Sequence, residues 1–200
     1  MFKKESYRPN VAIVIINRRG SILWCQRKGD DGWQFPQGGI DKNETPREAI
    51  LRETKEEVGL ESKDLKIIFE SKKWFKYDVP KERRTTYFIT KNKFRGQKQK
   101  WFLAELLSDD SKINLEATQT VEFKTWIWAS YWYALGSVVP FKKEVYREAL
   151  LEMLPYYKNF MIKESTQPYN SVMRTKTFKK VANFLKIYKN KKNIYFIEHL

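Results

Sequence analysis

Apolar residues along this chain fall mostly into short blocks or alternating runs broken by turn residues, and in two places into helical spacing. VAIVII (residues 11–16) and SILWCQ (21–26) flank NRRG, the pattern of a strand, a tight turn and a second strand. WQFPQGG (33–39) reads as a short strand running into a loop. LKIIFE (65–70), WFKYDV (74–79) and TTYFIT (85–90) read as strands, and QKWFLAELL (99–107) and TWIWASYW (125–132) as further ones. VYREALLEML (145–154) is spaced as a helix. The expected class is therefore α/β, a mixed sheet packed between helices.

The second helical stretch is the best defined. Thr45 sits at a natural N-cap, Pro46 at the first helical position and Glu48 three residues after the cap, the signature of a capping box. Gly59 supplies the left-handed stop. Ile50, Leu51, Thr54 and Val58 form one flank that can pack on a sheet. On another flank, at about 100° per residue, Glu56 and Glu57 fall on either side of Glu53 within an arc of roughly 100°. Three carboxylates so close are costly unless a cation neutralises them. An ordinary solvated helix is the competing reading, since Arg52 and Glu56 stand at i,i+4.

The whole string GGIDKNETPREAILRETKEEVGL decides between these. A glycine, five residues, Glu, seven residues, then Arg-Glu-x-x-Glu-Glu-x-Gly-hydrophobic is met by Gly38, Glu44, Arg52, Glu53, Glu56, Glu57, Gly59 and Leu60, and the chain resembles a Nudix hydrolase. Thr54 departs from the pattern, standing where an aliphatic residue is wanted. The resemblance implies an α/β/α sandwich, with Glu53, Glu56 and Glu57 ligating Mg²⁺ or Mn²⁺ and Glu44 and Arg52 bracing the loop and helix. Oxygen ligands suit such hard cations, which neutralise a polyphosphate and activate water against phosphorus.

Composition bounds the rest. At 200 residues, 42% apolar and 16% aromatic, the chain can build one real core. The single cysteine, Cys25, forms no internal disulfide, no apolar run approaches the ~20 residues of a membrane helix, and MFKKESYRPN lacks the apolar stretch of a signal peptide. A reducing cytoplasm with no membrane partner is expected. The formal charge of +15 is larger than small nucleotides require and points to nucleic acid, against the alternative of a merely Lys-rich surface. Ten Lys or Arg against two Glu lie beyond residue 155. The expected organisation is a catalytic domain over 1–155 and a basic extension over 156–200, with TQPYNSV as a linker and FKKVANFLKIYKNKKN as a weakly amphipathic helix or a solvated tail.

Strings outside the box narrow the resemblance. YRPNV (7–11), WQFPQGGI (33–40), GQKQKWF (96–102), SYWY (130–133) and VVPFKKEVYR (138–147) are similar to the proteobacterial RNA pyrophosphohydrolases, a Nudix group formerly placed with dinucleoside polyphosphate hydrolases. This similarity covers approximately residues 6–155. It implies that Glu122 is a fourth acidic residue, as metal ligand or general base, two roles the sequence leaves open. It further implies that Arg8 and Arg27 neutralise phosphates, a task suited to guanidinium forks. Tyr77, Lys98 and Lys100 line the substrate cleft on this reading, and Val138, Phe141 and Lys142 form the surface on which the first bases rest. The implied activity removes pyrophosphate, or phosphates stepwise, from triphosphorylated or diphosphorylated RNA 5′ ends, leaving a 5′-monophosphate that promotes decay. The alternatives are hydrolysis of diadenosine polyphosphates, which uses the same chemistry, and a catalytically silent RNA-binding scaffold, against which the intact glutamates argue.

Overall fold

The computed structural model describes residues 6–29, 32–84 and 94–166. Its centre is strand β1 (Ser6–Ile16), whose residues Val11 to Ile16 are all fully buried. A continuous Val/Ile run is what a strand covered on both faces requires. β1 runs parallel to β7 (Phe94–Leu106) in unbroken register from Tyr7↔Gly96 to Ile16↔Glu105. The remaining strands join antiparallel. β2 (Ile22–Arg27) follows the expected tight turn, where Gly20 has φ +77° and Asn17 Oδ1 accepts the N–H groups of Arg19 and Ser21.

β3 (Trp33–Gln34) pairs with β2, and β4 (Gln37–Gly39) with the first half of β1. β5 (Leu65–Glu70) and β6 (Phe75–Asp78) follow one another along β7, pairing with its second and first halves, and β8 (Phe123–Ala129) lies along β2. The sheet is thus mixed, with eight described strands. The predicted strand at 85–90 lies outside the described residues. The segment 130–132, expected to extend the last strand, is a turn leading into the short helix α2 (Ala134–Ser137).

One layer of the sandwich is α1 (Pro46–Val58), whose Ala49, Ile50 and Val58 pack with Val11, Ile13, Leu23, Cys25 and Phe102. The other is α3 (Lys143–Thr166), which meets the opposite face of the sheet through rings. Tyr146 is stacked on Phe35 at 5.3 Å and edge-on to Trp101 at 4.9 Å between centroids, and Phe35 is edge-on to Trp24 at 4.6 Å. Such offset and edge-on pairs contribute beyond the area they bury. The sandwich is the expected α/β/α arrangement.

The chain divides into Met1–Met161 and Ile162–Leu200. Within the first unit, α3 continues past the expected boundary at residue 155. Tyr157 stacks on Tyr131 at 4.1 Å, its hydroxyl donates to the Gly20 carbonyl at 2.9 Å, and Phe160 and Met161 are buried. Of the second unit only the end of α3, to Thr166, is described, so the predicted linker and basic helix lie outside the described residues. No described helix is long and apolar enough to cross a membrane.

Candidate active site

The loop and helix that carry the carboxylates are held by local bonds the sequence encodes. Thr45 Oγ1 accepts the Glu48 N–H at 3.2 Å while Glu48 Oε2 accepts the Thr45 N–H at 2.8 Å, closing the capping box, and Gly59 ends α1 at φ +73°. Arg52 ties the loop to the helix. Its Nε and Nη2 donate to the two oxygens of Glu44 at 2.8 and 2.9 Å, Nη2 also reaches the Gly39 carbonyl at 2.9 Å, and Nη1 donates to Glu53 at 2.8 Å and Glu56 at 3.2 Å. The hydrogen bonds from Arg52 hold the Glu44 carboxyl below its usual range. Gly38 has no room for a side chain, because a Cβ there would run into the Glu53 carboxylate.

Glu53, Glu56 and Glu57 on α1 and Glu122 just before β8 line one open cleft of about 340 Å³, with Thr118 and Thr120. Glu57 is buried, with only 3% of its surface exposed. Its Oε2 accepts the Gln37 N–H at 2.9 Å, while Oε1 has no hydrogen-bond partner among the described residues. Burial raises the Glu57 carboxyl well above the ordinary range, and the neighbouring charge of Glu122 raises it further. Glu122 supplies no relief, since two carboxylates share a hydrogen only if one is protonated. Glu53 is likewise raised, first by burial, against the opposing pull of Arg52.

A buried carboxylate oxygen without a donor, facing like charges in an all-oxygen cleft, fits a hard divalent cation. The four glutamates do not already gather round one point: among the described residues no three acidic, His or Cys side chains form a ready ligand set, and Glu53 and Glu56 are instead bonded to Arg52. The guanidinium of Arg52 draws Glu53 and Glu56 toward itself.

The remaining predicted residues separate onto two faces of the sheet. Arg8 lies against Gly39, where an added Cβ would collide with its guanidinium. The charges of Arg8 and of Arg27, at the end of β2, both reach Tyr77, whose phenol is nonetheless raised by burial. Tyr77 donates to Gln97 at 2.6 Å and faces the Phe141 ring at 6.0 Å. Lys142, expected on a surface, is buried, with Nζ 5.9 Å from the Tyr77 ring and donating to Gln34 Oε1 at 3.0 Å and Gln37 Oε1 at 3.3 Å. Val138 is buried as well, its backbone bridged to Trp33.

Lys98 and Lys100 do not join this group. They alternate with Gln97 and Gln99 along β7 and so point to the other face. There their ammonium groups stand 5.0 and 5.6 Å from the Trp74 ring, and Lys100 donates to the Ser71 and Lys72 carbonyls. The buried amides Asn10, Gln34 and Gln99 and the half-buried Gln37 were not singled out from the sequence. The available signal was polar residues inside otherwise apolar strands.

The family profile of the NUDIX domain matches residues 6–149, nearly the whole of the described sandwich. The chain belongs to the Nudix hydrolase family. Nudix hydrolases use divalent metal ions, which agrees with the fit of the acidic cleft. Among curated relatives, a protein of Marinomonas sp. MWYL1 named RNA pyrophosphohydrolase is 49% identical over 155 residues, 78% of this chain and 95% of that protein. A protein of the same name from Hydrogenovibrio crunogenus is 46% identical over 164 residues, 82% of this chain and 98% of its own length. One from Haemophilus influenzae is 44% identical over 174 residues, 86% and 88% of the two chains. The E. coli dihydroneopterin triphosphate pyrophosphohydrolase shares the Nudix fold, with a TM-score of 0.56 at 19% identity over 74% of this chain and 99% of that one. So does an Ap4A hydrolase of C. elegans, with a TM-score of 0.51 at 20% identity over 73% and 98%.

Proposed function

We propose that this Nudix hydrolase acts on the 5′ end of triphosphorylated or diphosphorylated RNA, removing pyrophosphate or successive phosphates and leaving a 5′-monophosphate that promotes RNA decay. The observation that carries the reading is the set of relatives named RNA pyrophosphohydrolase at 44–49% identity across most of the chain. The net charge of +15 is consistent with a polyanionic substrate.

In this reading Glu53, Glu56 and Glu57 hold Mg²⁺ or Mn²⁺ from one wall of the cleft, and Glu122 faces them as a further ligand or as the acceptor of the proton from water. When bound, the cation neutralises the phosphate chain and makes water a stronger nucleophile. Arg52 keeps the carboxylates in place through Glu44 and the Gly39 carbonyl. Arg8, beside the glycine-rich loop, compensates phosphate charge, and Arg27 extends that compensation. Phe141, with Tyr77 behind it, forms the wall on which the first nucleotides rest, while Lys142, buried and bonded to Gln34 and Gln37, supports it from within. Water oxygen bonds to phosphorus as the phosphoanhydride P–O bond breaks and the leaving phosphate departs, with no covalent enzyme intermediate.

The test is incubation of 5′-triphosphorylated RNA with the protein and Mg²⁺ or Mn²⁺, following the 5′ end and the released phosphate. Conversion to 5′-monophosphate RNA, lost on chelation and in Glu56→Gln, is the expected result. Untouched triphosphate ends with either ion would overturn the proposal.

A further inference from the structure

We infer that Gln37 is a positioning residue that sets the Glu57 carboxylate through its main chain while its side chain is clamped by the buried Lys142 on the opposite side of the sheet. The inference rests on reading Glu57 as a holder of the cation.

The topology makes one residue serve both sides. β4 is three residues long and pairs with β1 as Asn10↔Gly39, Val11↔Gly38 and Ala12↔Gln37. Val11 packs toward α1, so Gly38 beside it also faces α1, where it meets Glu53, while the Gln37 side chain points toward α3. The Gln37 N–H meanwhile donates to Glu57 Oε2 at 2.9 Å. Its side-chain Oε1 accepts from Lys142 Nζ and Gln99 Nε2, both at 3.3 Å, and stands 3.5 Å from the Tyr146 hydroxyl. Lys142 also bonds Gln34, so a single ammonium grips both ends of the segment 34–37.

The Gln37 end of that segment has the fewest other holds. β4 has no second strand partner among the described residues beyond β1, while the segment before it is anchored by Gln34 pairing with Cys25, by the buried Phe35 ring against Trp24, Trp101 and Tyr146, and by the Pro36 carbonyl accepting from the Ile13 N–H at 3.0 Å. A bond from an N–H to a carboxylate weakens steeply when misdirected. Releasing the side-chain clamp therefore lets the Gln37 N–H tilt away from Glu57, whose hydrogen-bond donor among the described residues it is. The consequence falls on cation binding and turnover more than on the affinity for substrate.

The test uses the full-length protein and Mn²⁺ alone as probe, with free Mn²⁺ read by electron paramagnetic resonance and folding by melting temperature. Gln37→Met and Lys142→Met are each expected to weaken Mn²⁺ binding by about tenfold, the size typical for groups that orient a metal ligand. Gln37→Glu, which keeps an acceptor oxygen toward Lys142, stays closer to the wild type. In turnover of 5′-triphosphorylated RNA, the Met variants lose kcat more than they raise KM. Lys142 lies across the sheet from the cleft, so a folded Lys142→Met protein with wild-type Mn²⁺ affinity overturns the inference, even if Gln37→Met fails to fold. A wild type that binds no Mn²⁺ overturns the reading of the cleft itself, and this inference with it.

Discussion

Arg52 grips Glu44 with two parallel bonds, Nε to Oε1 at 2.8 Å and Nη2 to Oε2 at 2.9 Å, across the first half of α1 that separates them in the chain. The pair joins the loop after β4 to the middle of α1, and the same guanidinium reaches Glu53 and Glu56. Lysine cannot reproduce that fork. Arg52→Lys should therefore lower unfolding stability by about 1–3 kcal/mol, the range for charge-assisted bonds, and lower turnover with it. Urea unfolding checks the first and steady-state rates the second.

The same bond predicts a pH dependence. Hydrogen bonding to Arg52 holds the folded-state pKa of Glu44 below its unfolded value of about 4.3. A depressed acid pKa contributes stability that is present above the unfolded value and is lost as pH falls through the folded one. Melting curves from neutral pH down through the acid range should show Glu44→Gln less stable than wild type at neutral pH, with the gap closing in acid. A gap that stays constant would remove the ion pair as its cause.

Glu57 should behave in the opposite sense. Its carboxyl is buried, so that ionising it is costly, and one oxygen has no hydrogen-bond partner among the described residues. In chelator at neutral pH, Glu57→Gln should melt higher than wild type, by about 1–2 kcal/mol in stability, while turnover is abolished. Because the folded pKa is raised, that gain shrinks as pH falls and the wild-type carboxyl protonates. Adding Mn²⁺ should raise the wild-type melting temperature and leave the variant nearly unmoved.

Much of α1 was legible in the chain because its determinants are local. Thr45, Pro46, Glu48 and Gly59 act within a few residues of where they stand, and the structure returns the helix as Pro46–Val58. Thr54, the departure from the pattern, is fully buried and satisfies its hydroxyl on the Ile50 carbonyl at 2.6 Å. What was not legible depends on distant pairings. The burial of Glu57 follows from the Gln37 N–H, twenty residues away. The separation of Lys98 and Lys100 from Tyr77 follows from the register of β7, in which a shift by one residue exchanges the two faces. The extension of α3 beyond residue 155 follows from Tyr157 and Met161 settling over the Gly20 turn, a contact across more than a hundred residues.

The basic extension admits a separate experiment. Residues 167–200 hold eight Lys or Arg and one Glu. Their removal should weaken binding to long RNA at low salt and flatten the dependence of affinity on salt, since each phosphate contact contributes to that slope. Cleavage of a short triphosphorylated oligonucleotide should change much less. An unaltered salt slope would exclude the extension as a phosphate contact.

The central claim concerns the substrate, and diadenosine tetraphosphate offers the same bond to the same carboxylates without an RNA chain. The direct measurement is the ratio of kcat/KM for 5′-triphosphorylated RNA to that for diadenosine tetraphosphate, with one enzyme preparation and saturating Mg²⁺. The account predicts a ratio well above one, and a clear preference for the dinucleotide would contradict it.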